Sequence, residues 1–402
     1  MRDTLPLTAN TAHTQPENRA FFPALDGLRA VAFLMVFGQH YLSLAWGWTG
    51  VNVFFVLSGF LITGILYDSQ NDLHRVRNFY VRRTLRIFPL YYGVFALLLL
   101  SYPVMHWRWN SYWLAWPLYL GNFLRFLSPA ATVWRSPLEY AADAHLTSQL
   151  FPHSELYLGH LWSLCVEEQF YLFWPFVVFF VRDRRKLIAL CTAAVVLGPL
   201  LRLLLQARAP GWMVNNELLY RFTPAQLDAL LLGGLVALLW RGPARGHMVR
   251  VARLAAVLGS VILAAYMVLV VRGWRMLPST YPHWSFTGGL EFVNLYSAAL
   301  IVCALLPGGL VFRLLSRRPA RWLGRLTYGA YVFHDLPHDL CVHIVAHSGF
   351  PQLAFDGPAE EAATAVLAFT VTVLLAWLSL RFFEALFLNL KERWTVRPDT
   401  PG

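Results

Sequence analysis

The sequence predicts an all-α fold, a polytopic bundle of transmembrane helices, and three observations carry that prediction. Of 402 residues, 57% are hydrophobic and only 14% are charged. The mean hydropathy of +0.48 lies outside the balance of a soluble domain. Several apolar stretches reach the length of about 20 residues that a helix needs to cross a hydrocarbon core roughly 30 Å thick. The net charge of +11 does not form a nucleic-acid patch, because its arginines gather between apolar runs, where they orient a membrane protein.

Residues 1–20 are polar and carry neither the apolar core nor the small-residue cleavage site of a secretory signal, so they read as a cytoplasmic tail. Apolar windows place spans at 24–46, 49–67, 85–102, 160–181, 187–206, 223–240, 252–272, 289–307, 323–346 and 361–388. Together they make one membrane domain over 21–390, followed by a short cytoplasmic tail at 391–402. A further window at 111–127 is short, holds Asn122 and Arg125, and is interrupted by Pro117 and Gly121. Basic clusters at Arg75 to Arg86, Arg182 to Lys186, Arg241 to Arg253, Arg313 to Arg325 and at Lys391 and Arg393 all fall inside only if 111–127 does not cross. Ten spans with both termini cytoplasmic follow. Residues 103–159 then form a long outer segment with an interfacial or re-entrant helix, and the acidic loop 347–360 also lies outside. Cys165, Cys191, Cys303 and Cys341 sit in or beside apolar runs without the spacing of a zinc site or a disulfide framework, as packing residues do.

An ionisable side chain within a span costs about 2.5–3.5 kcal/mol on insertion scales, so each needs a partner or a function. Arg29 and His40 lie eleven residues apart in the first span, on one helical face and separated by about 16 Å along the axis. The fifth apolar run opens with His160, Ser163, Glu167 and Tyr171 at helical spacing, so one arc carries four polar groups. Glu167 and Glu168 are adjacent and point about 100° apart, so the two are not expected to face one cavity equally. Glu167 serves either in acid/base chemistry or in neutralising an arginine such as Arg29. Arg82, Arg83 and Arg86 precede the third span, either as membrane anchors or as a phosphate site, since guanidinium groups bind phosphate bidentately. Gly50, Ser58, Gly59, Thr63 and Gly64 read as close-packing positions. His334 and Asp335 form another intramembrane pair that either completes a cavity or locks two helices. No histidine pair has the spacing of a metal motif, and no metal is expected.

These segments resemble the acyltransferase 3 family, membrane enzymes that acylate sugars and other acceptors at the cell envelope. The resemblance rests on Leu25-Asp-Gly-Leu-Arg29 with His40, on Gly50 to Thr63, on Arg83 with Arg86, on His160 to Tyr171, and on Leu323 to His334. It implies functional roles for Arg29, His40, Arg83 and Arg86, with Glu168, His160, Ser163, Tyr171, Asp228 and His334 in substrate-binding or supporting positions. Three residues depart from the pattern: Asn52 stands where an aspartate is expected, Thr327 where serine is common, and Gln226 where an arginine often precedes Leu227 and Asp228. Many relatives carry a hydrolase-like domain after the last span. Only about a dozen residues follow residue 388 here, so a stand-alone member is expected, with any second transfer step left to a separate protein.

The expected activity is that of an O-acyltransferase in a bacterial-type inner membrane. Acyl-coenzyme A, in particular acetyl-coenzyme A, would dock its phosphates on Arg82, Arg83 and Arg86 and present its thioester to His40. His40 would act as general base or as an acyl-carrying nucleophile, oriented by Glu167 with Arg29 nearby. The acceptor would be a hydroxyl of a sugar-containing molecule, with aromatic residues of 103–159 helping to hold it. A transporter or flippase for an envelope glycan or lipid precursor is the alternative, marked by broken helices and by flux without a thioester. A membrane scaffold or sensor, which would tolerate loss of His40 and Glu167, is a third.

Overall fold

The computed structural model describes residues 22–44, 46–101, 114–127, 158–215, 217–272, 286–347 and 358–396, and among these no residue is in a strand. Helix α1 (Pro23–Tyr41) has proline and Asp26 in its first turn, both suited to a helix N-terminus. A tight turn at Gly47–Thr49 feeds α2 (Gly50–Asp68), and α3 (Arg75–Leu100) follows. After α4 (Gly121–Leu127) come α5 (Trp162–Val181), entered through a turn at Gly159–Leu161, and α6 (Arg184–Arg208). The side chain of Asp183 caps α6 by accepting from the backbone of Arg185 and Lys186. Three short helical turns lead to α7 (Leu227–Trp240), then α8 (Arg245–Val271), α9 (Gly288–Ala304), α10 (Leu310–Leu315) and α11 (Arg318–Phe333). The chain ends with α12 (His338–His347), α13 (Pro358–Leu378), which runs on through a wide turn at Ser379–Glu384 to Leu388, and α14 (Lys391–Trp394).

Each apolar window read from the sequence contains a helix, and seven of these are long and apolar enough to cross a membrane. The chain is thus a polytopic helical membrane protein. Helices α9 and α11 are shorter, at 17 and 16 residues. Within the 111–127 window, residues 114–127 are described, and the one α-helix among them is the seven-residue α4, about 10 Å of helix and too short to span. The expected single span at 323–346 is instead two helices, α11 and α12, separated by a turn at 334–337. Pro337 explains the break: its ring denies the preceding turn a backbone donor and disfavours helical geometry just before it. That turn holds His334 and Asp335.

Burial sorts the helices. The apolar windows of α2 and α7 are 78% and 72% buried, while those of α6 and α8 are 22% and 17% buried. Helices α2 and α7 therefore form the centre, and α8 turns Leu254, Val257, Leu258, Val261 and Ile262 outward, as a lipid-facing helix must. The central pair approach through reciprocal glycines: a Cβ on Gly59 would fall on the carbonyl oxygen of Leu230, and one on Gly233 on that of Val56. Because backbone atoms cannot step aside, Gly59→Ala should cost about 1–3 kcal/mol or more. The expected result is a thermal unfolding midpoint lowered by several degrees in detergent, read by static light scattering against wild type.

Candidate active site

Helix α1 connects two polar regions. At its N-terminal end Arg29 faces a cavity of about 500 Å³ that is also bordered by Arg82, Arg83, Arg86 and Lys391. A narrower cavity of about 110 Å³ shares Arg29, Arg83 and Arg86 with the first and adds Ser58, Glu167, Glu168, Tyr171 and Tyr331. A third, of about 220 Å³, shares Val51 and Tyr331 with the second and contains His40 and His160. Arg29 and His40 thus lie on one continuous helix and serve different cavities.

In the basic region the arginines arrive on α1 and α3. Arg29 donates to Asp26 one turn earlier at 2.8 Å, so its hydrogen-bonded partner is Asp26. The Arg83 guanidinium lies over the Tyr171 ring at 4.3 Å, a cation–π contact that fixes its height above the narrow cavity. Lys391 is the cation that the sequence reading missed. It reaches this cavity because α14 is pinned to α3: the Val396 N–H donates to Asn78 at 2.9 Å, and Asn78 returns a bond to the Val396 carbonyl at 2.8 Å. Five cations around one space, with Glu392 as the acid in the same wall, suit a polyanion.

In the narrow cavity Glu167 accepts from Ser58 at 2.5 Å, and Tyr171 donates to the same Ser58 oxygen at 3.0 Å. The sequence reading assigned Glu167 to His40, but the two border different cavities. Seven residues separate Glu167 from His160, about 10 Å of helix. Glu168 borders the same cavity as Glu167 despite their angular separation. Ser163 is hydrogen-bonded to the Tyr331 hydroxyl at 2.6 Å, and Tyr331 donates to the His160 carbonyl at 2.9 Å, tying α5 to α11.

At the other end the polar group on His40 is Asp335. Its Oδ1 lies 3.3 Å from His40 Nδ1, and its Oδ2 lies 3.4 Å from His160 Nδ1. The turn between α11 and α12 thus brings one carboxylate between two imidazoles from α1 and from the start of α5. His160 Nε2 faces the Val332 carbonyl at 3.2 Å, whereas the His40 side chain keeps 28% of its surface exposed. A carboxylate on Nδ1 fixes the ring and leaves Nε2 for a substrate. His334 is fully buried; its Nδ1 is 2.7 Å from the Tyr331 carbonyl, and its ring centre is 4.9 Å from those of both His40 and His160. It spaces the two other rings. The Tyr41 hydroxyl donates to the His334 carbonyl at 2.6 Å, locking the turn to α1.

Asp228 is not part of these cavities. It accepts from the fully buried Arg202 at 2.7 Å, and Glu291 takes the same guanidinium. This is a structural ion cluster holding α6, α7 and α9 together. Two sequence departures meet beside it, since Asn52 donates to Gln226 at 3.2 Å and to Asn294 at 3.0 Å. An acid and a base expected at these positions are replaced by two uncharged amides, Asn52 donating to Gln226 and Gln226 donating in turn to the Tyr220 carbonyl. Thr327 keeps the hydroxyl of the expected serine, donating to the Gly324 carbonyl at 2.8 Å. Among the described residues no group of three or more His, Cys, Asp and Glu side chains is placed to hold a metal ion.

A helical membrane bundle with a basic cavity at one end of α1 and a carboxylate-bound histidine at the other is the architecture of a membrane group-transfer enzyme. The acyltransferase domain model of the acyltransferase 3 family matches residues 22–381, and the chain belongs to that family. It is similar to peptidoglycan O-acetyltransferase OatA of Listeria monocytogenes, 27% identical over 91% of this chain and 56% of that protein. It is also similar to Bacillus subtilis YrhL, which bears a provisional name as a peptidoglycan O-acetyltransferase, 30% identical over 92% of this chain and 55% of that protein. A Staphylococcus aureus (strain COL) protein provisionally named an O-acetyltransferase is 26% identical over 93% of this chain and 58% of its own length. The chain therefore spans little more than half the length of these relatives. No solved structure matches it.

Proposed function

We propose that the chain moves an acetyl group from acetyl-coenzyme A to a hydroxyl of a carbohydrate acceptor of the bacterial cell envelope, across the inner membrane. The observation that carries this reading is His40, held on Asp335 and lining the third cavity, which shares Val51 and Tyr331 with the narrow one. On the topology implied by the basic clusters, the arginine end faces the cytoplasm and the histidine end faces outward. The donor's phosphates sit among Arg82, Arg83, Arg86 and Lys391, and its pantetheine arm passes Arg29 and Glu167 to bring the thioester beside His40. The names of the relatives support a glycan acceptor.

In the reaction His40 Nε2 takes the proton from the acceptor hydroxyl as its oxygen attacks the thioester carbonyl. The carbon–sulfur bond breaks, the ester forms, and coenzyme A leaves as a thiol after receiving the proton. Asp335 holds the Nδ1–H and stabilises the imidazolium that forms in passing. Tyr331 and Ser163, hydrogen-bonded to one another at the shared wall, keep that wall in place.

The test is transfer of labelled acetyl from acetyl-coenzyme A to a soluble glycan by the purified protein in lipid. No consumption of acetyl-coenzyme A by wild type would defeat the donor assignment. For the arginines, charge-assisted hydrogen bonds of about 1.5–3 kcal/mol are at stake. Arg83→Ala and Arg86→Ala should each raise the KM for acetyl-coenzyme A about tenfold or more, with kcat changed only a few-fold. Titration calorimetry of coenzyme A against each variant checks the affinity directly, and unaltered binding would make these arginines membrane anchors.

The broken helix at 334–337 is a feature shared with transporters. In that reading a glycan or lipid precursor crosses the bilayer without a thioester, and flux into vesicles would persist in acetyl-coenzyme A-free buffer.

A further inference from the structure

We infer that the third cavity, beyond His40 from the basic end, is the acceptor subsite and takes a single sugar ring. The inference rests on the acetyl-transfer reading above and names where, and by which residues, its acceptor is held.

The cavity walls combine two unlike features. Trp48, Trp162, Tyr220 and Phe286 form one aromatic surface: the Trp162 and Tyr220 ring centres are 4.7 Å apart, Trp48 and Tyr220 5.2 Å, and Tyr220 and Phe286 5.7 Å. The Tyr220 hydroxyl donates to the Trp48 carbonyl at 2.8 Å, so the two rings from distant parts of the chain are fixed together. Set into this surface is the Glu217 and Arg221 ion pair. Glu217 adopts the left-handed backbone conformation, φ 65°, rare for a residue with a side chain. Arg221 is held by the Gly159 carbonyl at 3.1 Å and lies 5.4 Å over the Trp162 ring.

A purely apolar ligand here would leave the ion pair facing hydrocarbon, and a purely polar one would waste the aromatic faces. A pyranose has both surfaces, an apolar face of C–H groups and a rim of hydroxyls, and matches the cavity on each. The volume of about 220 Å³ is below the roughly 300–1,000 Å³ of sites that enclose drug-sized ligands, so one ring is enclosed and a longer glycan extends away from it. The adenine of the donor also stacks on aromatic rings, but it is tied to phosphates. Those belong with the basic cavity at Arg29, about 16 Å back along α1 from His40. His40 is in the wall of the cavity, within reach of a hydroxyl of the bound ring.

Two measurements on the full chain in lipid nanodiscs test this, with chitotetraose as the probe. Saturation-transfer NMR without donor should show the sugar's ring protons receiving magnetisation from wild type, unaffected by excess coenzyme A and lost in Trp48→Ala. In the acetyl-transfer assay Trp48→Ala should raise the KM for chitotetraose about tenfold, with the KM for acetyl-coenzyme A as in wild type. Trp48→Phe, which keeps an aromatic face, should recover most of the loss and covers the case in which the alanine variant does not fold. Displacement of the sugar by coenzyme A, equal binding by wild type and both variants, or no binding to wild type would overturn the assignment. Sugar binding without acetyl-coenzyme A turnover would keep the subsite and defeat only the parent reading of the donor.

Discussion

Replacing His40 with alanine is expected to lower acetyl transfer by about 10²–10⁴-fold, the contribution of a positioned general base, while leaving acetyl-coenzyme A affinity within a few-fold of wild type. The two effects separate because His40 and the cationic residues border different cavities, at opposite ends of α1. The measurement is single-turnover transfer from labelled acetyl-coenzyme A, with calorimetric binding of coenzyme A on the same preparation. Retained transfer in the variant would move the base elsewhere, with His160 then the next imidazole to replace. Lost transfer together with lost binding would make His40 a folding residue, since its ring packs against His334 at 4.9 Å.

Asp335→Asn should be nearly as severe, about 10³-fold or more, although the side chain barely changes size. An amide can turn its NH₂ towards His40 Nδ1, which moves the ring proton to Nε2 and removes the lone pair the acceptor needs. Because Asp335 acts through His40, the losses should not add: Asp335→Asn in a His40→Ala background should cost little more. Additive losses would assign the carboxylate a separate task, such as holding His160, whose Nδ1 is 3.4 Å from Oδ2. A lowered thermal midpoint that tracks the lost activity would make Asp335 a structural tie between α11 and α1.

Much of this architecture was legible along the chain because membrane crossing and helical periodicity are local constraints. Apolar windows placed the helices, since a backbone in lipid has to satisfy its own hydrogen bonds. A spacing of eleven from Arg29 to His40 on one helix fixed a common face. A spacing of three from Arg83 to Arg86 likewise fixed the basic cluster. Glu167 shows where such reasoning stops. Its position on the polar arc of α5 was right, yet its partner is Ser58 on α2, and helical spacing says nothing about which helix faces that arc. Asp335 was visible as a costly intramembrane acid without any sign that it reaches His40, 295 positions earlier. Lys391 looked like an orienting charge, and only its strap to Asn78 carries it into the basic cavity. Asp228 stood in a motif of the family and proves to neutralise Arg202.

By itself the sequence determined the helical class, the positions of the helices and the polar residues that cannot face lipid without cause, because each follows from transfer free energies and spacing along one helix; the family was legible only as a resemblance of motifs. Tertiary structure alone decided which of those residues meet. The break imposed by Pro337 turned His334 and Asp335 towards α1, and the glycine contact of α2 with α7 set the centre around which the cavities lie. Packing between distant helices also gathered Trp48, Trp162, Tyr220 and Phe286 into one wall. Pairings of this kind depend on interhelical distances of a few ångströms, which no periodicity within a single helix encodes.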